Sequence, residues 1–312
     1  TSRALLKTPT YTESPIAAVT DGAPRIRRRL APPHAELDYP ICLELRDQGA
    51  TDYLVLPMIF SDGRRRPMTF ATRAPGGFSD AHLALFESIL PALSARMEIL
   101  TARAETKSLL EVYLGSNAAR RVLAGEFVRG SGTSIDAAIW TCDLRGFTAL
   151  ADDCSPVEVI RTLDAYFERV VYAIQANGGE VLKFIGDAVL AIFPIDSERA
   201  TACGRALLAA RRAVVDLAAW NAARAAPLGM GVGLHLGEVF YGNVGGASRL
   251  DFTVIGAAVN MACRLEPLCK TLAASIVMSA AFRAHVSGDD IIDGGEHFLR
   301  GVSRPQRVYL IP

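Results

Sequence analysis

Hydrophobic and polar positions along the chain repeat with either the two-residue period of strands or the 3.6-residue period of helices, and their order marks two parts. From Tyr53, YLVLPMIF is an apolar run of strand length, SDGRRRP is a turn around Asp62-Gly63, and MTFAT is a second short strand, which together predict a hairpin. Pro75-Gly76-Gly77 then breaks the chain, and Ser79 is placed to cap a long helical pattern carrying Leu83, Leu85, Phe86, Ile89, Leu90 and Leu93. Helical spacing resumes from Met97 to Tyr113 with Leu100, Leu109, Leu110 and Val112, a connector that either packs on its own domain or pairs with a copy of itself. Glycines at 115, 125, 130 and 132 end it. Ahead of the hairpin, residues 1–33 mix Pro, Ser, Thr and the cluster Arg25, Arg27, Arg28 and Arg29 without sustained periodicity, and read as an arm whose arginines form a solvated or carboxylate-paired face. The expected division is an arm over 1–35, a small α/β domain over 36–96, a helical connector over 97–130 and a second domain over 131–312.

The second domain reads strand (136–142), helix (156–177), hairpin (180–193), helix (198–223), strand and hairpin (from 230), helix (257–271) and strand (275–278). This order predicts an α+β fold with a mixed, mostly antiparallel sheet. Its first helix is the best marked: Ser155 as cap, Pro156 at the first helical position, Glu158 closing a capping box and Gly178 after the last turn. Val159, Ile160, Leu163, Phe167, Val170, Val171 and Ile174 form its apolar face, which should lie on the sheet.

Composition narrows the function classes. Half of the 312 residues are hydrophobic, enough for a sizeable core, and 33 basic side chains balance 33 acidic ones. That balance argues against coating nucleic acid or an anionic membrane, since both need excess positive charge. The longest apolar runs fall well short of the roughly 20 residues of a membrane-spanning helix, and no signal peptide opens the chain, although it starts at Thr1 rather than an initiator Met, which leaves an upstream segment open. The cysteines at 42, 142, 154, 203, 263 and 269 show no CxxC pair and read as reduced core thiols of a cytoplasmic protein, with a structural zinc site as the sharper alternative.

Two carboxylates stand where the core pattern predicts none. Asp143 ends the buried strand AAIWTC, and Asp187 sits beside Gly186 at the tip of the hairpin KFIGDAVLAIF. Ionised groups beside apolar strands are costly unless paired or metal-bound. Adjacent strand ends could bring them close enough to share Mg²⁺ or Mn²⁺; alternatively Asp187 is a turn residue and Asp143 a cap. The segment LRGFTAL after Asp143 leaves the strand through a Gly-containing turn whose N–H groups could cradle a phosphate.

The four blocks DLRGFT, KFIGDAVLAIF, GVGLHLGEVFYGNVG and DFTVIGAAVNMACRLE, in this order and at these separations, resemble the catalytic domain of the class III nucleotidyl cyclases, a palm-type, ferredoxin-like fold. The resemblance implies that Asp143 and Asp187 bind two Mg²⁺ or Mn²⁺ ions, with the Leu144 carbonyl as a further ligand. It implies that Lys183 and Thr253 read the purine, that Asn260 and Arg264 position the ribose and stabilise the transition state, and that the turn Arg145, Gly146, Phe147 and Thr148 lies against the substrate. FLRGVSRPQRVYLI is similar to the family's closing block and puts Arg300, or its neighbour Arg304, near a phosphate. Asn260 and Arg264, spaced i and i+4, project from one helix face. The strand–turn–strand order followed by PGGFSDAHLALFESILPALSARMEI resembles the C-terminal half of GAF-type sensor domains, without naming a ligand.

On that basis the expected reaction is conversion of ATP to 3′,5′-cyclic AMP and pyrophosphate. A Lys donor and a Thr acceptor complement adenine, whereas guanine would want a carboxylate at residue 183. Ala257 and Ala258 replace a polar pair frequent in the family, and Thr253 resembles a subgroup in which some members respond to bicarbonate, so a small-molecule regulator is among the expected partners. Family architecture further implies a homodimer with the aspartates from one subunit and Lys183, Thr253, Asn260 and Arg264 from the other. The rival readings are a catalytically silent cyclase-like signalling module and a diguanylate cyclase. The second is disfavoured by FIGDA at the hairpin, and the first by the presence of all six polar positions. His235 lies on an alternating strand and is expected to pack or hydrogen-bond there.

Overall fold

The computed structural model describes residues 8–33, 35–222, 224 and 226–312. The chain divides into two compact units, residues 1–106 and 107–312. The first holds α1 (Pro9–Thr12), α2 (Pro15–Thr20), β1 (Ile26–Arg29), α3 (Pro40–Asp47), β2 (Asp52–Ile59) and β3 (Arg65–Thr72), and then α4 (Asp80–Leu114), which runs past its end. β2 is the central strand of an antiparallel sheet in the order β1-β2-β3, and the predicted hairpin is β2 and β3.

Two expectations for this part need correction. The N-terminal stretch is no irregular arm: Ser14 caps α2, and Ile26 to Arg29 pair with Val55 to Asp52 as an edge strand. A four-residue strand is too short to show a period, and its polar side chains are held by pairing. The Arg27 Nη2 atom lies 2.6 Å from Oδ2 of the fully buried Asp52 and 2.5 Å from the Phe78 carbonyl, while Arg28 and Arg25 pair with Asp38 and Glu87. The carboxylate-paired reading of the arginines therefore holds; the seven residues before Thr8 lie outside the described residues. The second correction concerns the two helical stretches expected on either side of residue 96, which form the single 35-residue α4 with Pro91 inside it. Proline removes one intrahelical hydrogen bond, and here that loss does not end the helix.

The second unit continues with α5 (Ser116–Leu123), β4 (Gly132–Arg145), α6 (Phe147–Asp153), α7 (Pro156–Ala176), β5 (Glu180–Ile185), β6 (Ala188–Pro194), α8 (Arg199–Asn221), β7 (Gly229–Gly245) and β8 (Leu250–Ile255). It ends with α9 (Ala257–Leu265), α10 (Leu268–Thr271), β9 (Ile276–Ser279), α11 (Ala280–Arg283), β10 (Ile292–His297) and β11 (Gln306–Ile311). The sheet order is β10-β11-β9-β7-β4-β6-β5, with β8 also on β7; β7 and β9 are parallel and the other pairs antiparallel. This is the mixed, mostly antiparallel α+β fold that the pattern predicts. The helix expected over 257–271 breaks at Pro267 into α9 and α10, and Ala223, the last residue expected in α8, lies outside the described residues.

Alternation along β4 builds two cores. Ala138, Trp140, Cys142 and Leu144 face α7 and α8, where Tyr166, Val170, Ala173 and Ile174 of the capping-box helix are buried as expected. Ala137 and Ile139 face the other way, under Phe252 and Val254 of β8 and Ala258 and Ala262 of α9. Glycines let α9 approach this second face. A Cβ on Gly233 would stand 2.6 Å from the Ala262 carbonyl oxygen, and one on Gly237 2.7 Å from the Ala258 Cβ. Every second residue from 231 to 237 in the block GVGLHLGE is thus glycine or His235, so that the helix carrying Asn260 and Arg264 can lie against the sheet.

Candidate active site

Register brings the two aspartates together. Cys142 of β4 stands opposite Val189 of β6, so the β5–β6 turn that holds Asp187 falls beside the end of β4, where Asp143 sits. Burial, a hydrogen bond with Asp187 and the Asp187 charge push the Asp143 carboxyl up to about 6, while Asp143 Oδ1 accepts the Leu144 N–H at 3.1 Å. Such a shift signals negative charge short of compensation.

A third carboxyl, missed in the sequence, belongs to the same cluster. Glu266, just past α9, is pushed up to about 7 by burial first and then by Asp143 and Asp187, with Arg145 acting in the opposite direction. It lies where a Cβ on Gly231 would meet its Oε1 at 2.5 Å, and Gly231 is the β7 residue opposite Asp143. Its signal was the LE that closes the last motif, two residues after Arg264. Arg145 donates from Nη2 to the Ala274 carbonyl at 2.5 Å, and its Nε is buried with no hydrogen-bond partner among the described residues. Gly146 takes the left-handed conformation, φ +83°, and turns the chain from β4 into α6, bringing Phe147 against the core and leaving Thr148 exposed.

The donor chemistry fits a hard divalent cation: two adjacent carboxylates, Asp143 and Asp187, with uncompensated charge and Glu266 nearby. Mg²⁺ commonly binds through one or two carboxylates and completes its shell with water and substrate phosphate.

A second polar group forms around β5 and β8. Lys183 was expected to await a purine, but its Nζ lies 2.6 Å from Oδ2 of Asp251, at a half-exposed pair. Asp251 and Thr253 are i and i+2 on β8 and so share a face of the strand, a spacing that could have pointed to Asp251. Thr253 is 4% exposed, and its hydroxyl is buried without a hydrogen-bond partner among the described residues. On α9, Asn260 is exposed and Arg264 half-buried, with Arg264 Nη2 close enough that a Cβ on Gly301 would stand 3.3 Å away. The exposed Arg300 therefore sits in the loop beside Arg264. Among the described residues no hydrogen bond or ion pair joins Asp143 or Asp187 to Lys183, Thr253, Asn260 or Arg264. His235 bonds through Nδ1 to the Ser279 hydroxyl at 2.8 Å, in keeping with the expected structural role. Cys263, expected among the core thiols, is exposed on α9, although burial still pushes its thiol up and its side chain reaches Thr141 of β4; Cys154 is part-buried, and Cys42, Cys142, Cys203 and Cys269 are buried.

The model of the adenylate and guanylate cyclase catalytic domain matches residues 133–311. The chain belongs to this family. An adenylate cyclase of Anabaena cylindrica is 35% identical over 166 residues, 51% of this chain and 32% of that protein, and the chain spans about a third of the length of the curated relatives it matches. Among solved structures, a bacterial light-regulated adenylyl cyclase superposes with a TM-score of 0.61 at 25% identity, over 72% of this chain and 63% of that one. The guanylyl cyclase Cya2 superposes with a TM-score of 0.51 at 28% identity, over 58% of this chain and 93% of that one. Both base specificities thus occur among the neighbours of this cyclase domain. The family match begins at residue 133, and the GAF-type likeness of the N-terminal unit is not confirmed. No described helix is long and apolar enough to cross a membrane.

Proposed function

We propose that the chain is an adenylate cyclase that converts ATP to 3′,5′-cyclic AMP and pyrophosphate at sites shared between two copies. The observation that carries the choice of base is the buried, unpartnered Thr253 hydroxyl on β8 with the Lys183 ammonium held by Asp251 on the same strand. Adenine presents an acceptor at N1 and a donor at its amino group, which this pair complements. An unpaired buried hydroxyl costs about 1–3 kcal/mol, which a bound purine would recover.

In this reading Asp143 and Asp187, with the Leu144 carbonyl, would hold two Mg²⁺ or Mn²⁺ ions, and the chemistry these would supply is acidification of the ribose 3′-hydroxyl and neutralisation of phosphate charge. Asn260 orients the ribose so that its 3′-oxygen lies in line with the α-phosphorus and the departing pyrophosphate. Arg264 donates to the α-phosphate oxygens as charge grows there. The turn from Arg145 to Thr148 faces the phosphates, and the contact of Arg264 with Gly301 favours Arg300 over Arg304 as a further phosphate ligand.

Sharing between two copies is supported by where apolar surface is left. Phe184 and Ile185 are 51% and 56% exposed between Lys183 and Asp187, and Ile255 is 49% exposed after Thr253. These side chains flank both polar groups, and a second copy would bury them while closing the site. The test is to supply the purified chain with equal ATP and GTP and Mn²⁺ and to quantify both cyclic nucleotides. Cyclic AMP in excess with equimolar pyrophosphate is expected; a preference for cyclic GMP would overturn the base assignment, and no cyclic product would overturn the activity.

A further inference from the structure

We propose that a cavity in the N-terminal unit binds a small organic cation with an aromatic or apolar body. The cavity, about 460 Å³, lies where α1, α2 and the start of α3 meet β2. That volume falls in the range of roughly 300–1,000 Å³ typical of small-molecule sites. Tyr11, Ile16, Ile41 and Tyr53 are among its walls, so its lining is mainly apolar and offers two aromatic rings.

Its charged groups point to one kind of ligand. Glu13 and Glu44 also line the cavity, neither is in an ion pair among the described residues, and no Lys, Arg or His is among the described lining residues. The charged side chains among the described lining residues are therefore acidic, which favours a cation over an anion, and a cation beside Tyr11 gains the further attraction of the ring face. Deeper in, Tyr53 is only 4% exposed, and its hydroxyl bonds to no other group among the described residues. Burial pushes this phenol up to about 12, so it stays protonated and can donate to or accept from a ligand. Tyr53 lines the cavity, where a ligand can replace water as the partner of its hydroxyl.

The site lies outside the family-matched residues 133–311, and its test reads binding alone, independent of the cyclase reading. Tryptamine and indole-3-propionate have the same ring and a similar chain but opposite charge. Calorimetric titration of the full chain should show saturable binding of one tryptamine, with indole-3-propionate weaker by about tenfold or more. Glu13→Gln combined with Glu44→Gln, both at exposed positions, should remove most of that preference. Tyr53→Phe, which keeps the ring, should weaken tryptamine by about three- to tenfold through the lost hydrogen bond. Absence of saturable tryptamine binding, equal binding of the two probes, or affinity unchanged in both variants would overturn the proposal.

Discussion

Replacing Lys183 with Glu reverses the charge of the group proposed to read adenine N1, and the structure separates the consequences. The ammonium lies 2.6 Å from Asp251, with side chains 30% and 58% exposed, so losing the pair costs about 0.5–1 kcal/mol. A new carboxylate beside Asp251 adds repulsion of about 1 kcal/mol at solvated contact distance. Neither effect depends on the base, so both cancel in the ratio of kcat/KM for ATP to that for GTP. Facing the acceptor N1 of adenine with another acceptor does not cancel. It costs about 1–3 kcal/mol, whereas the guanine N1–H gains an acceptor, and the ratio should fall by about ten- to a hundredfold. Adding Asp251→Asn removes the repulsion, so the double variant should regain total turnover but keep the lowered ratio. Initial rates of cyclic AMP and cyclic GMP formation from mixed nucleotides measure it. A ratio unchanged in both variants would refute the role of Lys183 in base reading.

Asp143→Asn and Asp187→Asn should each reduce cyclisation to less than about a tenth at saturating Mn²⁺ while the fold, followed by circular dichroism, is kept. The upward shift of Asp143 to about 6 means that the folded chain binds a proton more readily than the unfolded one. Stability without metal should therefore rise as pH falls from about 7 towards 4, and less so in Asp187→Asn; a melting temperature flat over that window in both would contradict the clustered charge. Mn²⁺ should raise the melting temperature more at pH 7.5 than at pH 5.5, since protons compete for the same oxygens. Gly233→Ala, which forces a Cβ to within 2.6 Å of the Ala262 carbonyl, should destabilise by about 1–3 kcal/mol and lower kcat by displacing α9; thermal melts and initial rates would show it.

Much of the catalytic unit was legible because its signals are local. The capping box of α7, the apolar face over Val170 and Ile174 and the turn at Gly186-Asp187 each lie within a few residues of sequence, and all form as expected. The juxtaposition of Asp143 with Asp187 was legible too, since the first lies near the end of a strand, two residues before Arg145, and the second in the turn of the neighbouring hairpin. What escaped depends on long-range pairing. Lys183 and Asp251 are 68 residues apart and meet only because β8 folds back to β5. Glu266 enters the aspartate cluster because Gly231 leaves room for it across β7, and β1 joins its sheet through the buried Asp52 rather than through any period of its own. Residues β10 and β11 gave no clear alternation, since Gly294 and Gly295 interrupt the first strand and a register shift follows Asp293.

The shared site is tested most directly by mixing Asp143→Asn chains with Arg264→Ala chains, each inactive alone, and measuring cyclic AMP formed from ATP with Mn²⁺. In a mixed dimer one of the two composite sites carries both substitutions and the other carries neither, so activity should return to about a quarter of wild type at equal mixing, since half the dimers are mixed and each has one intact site. Mixed dimers shown to form without any cyclic AMP would contradict the account.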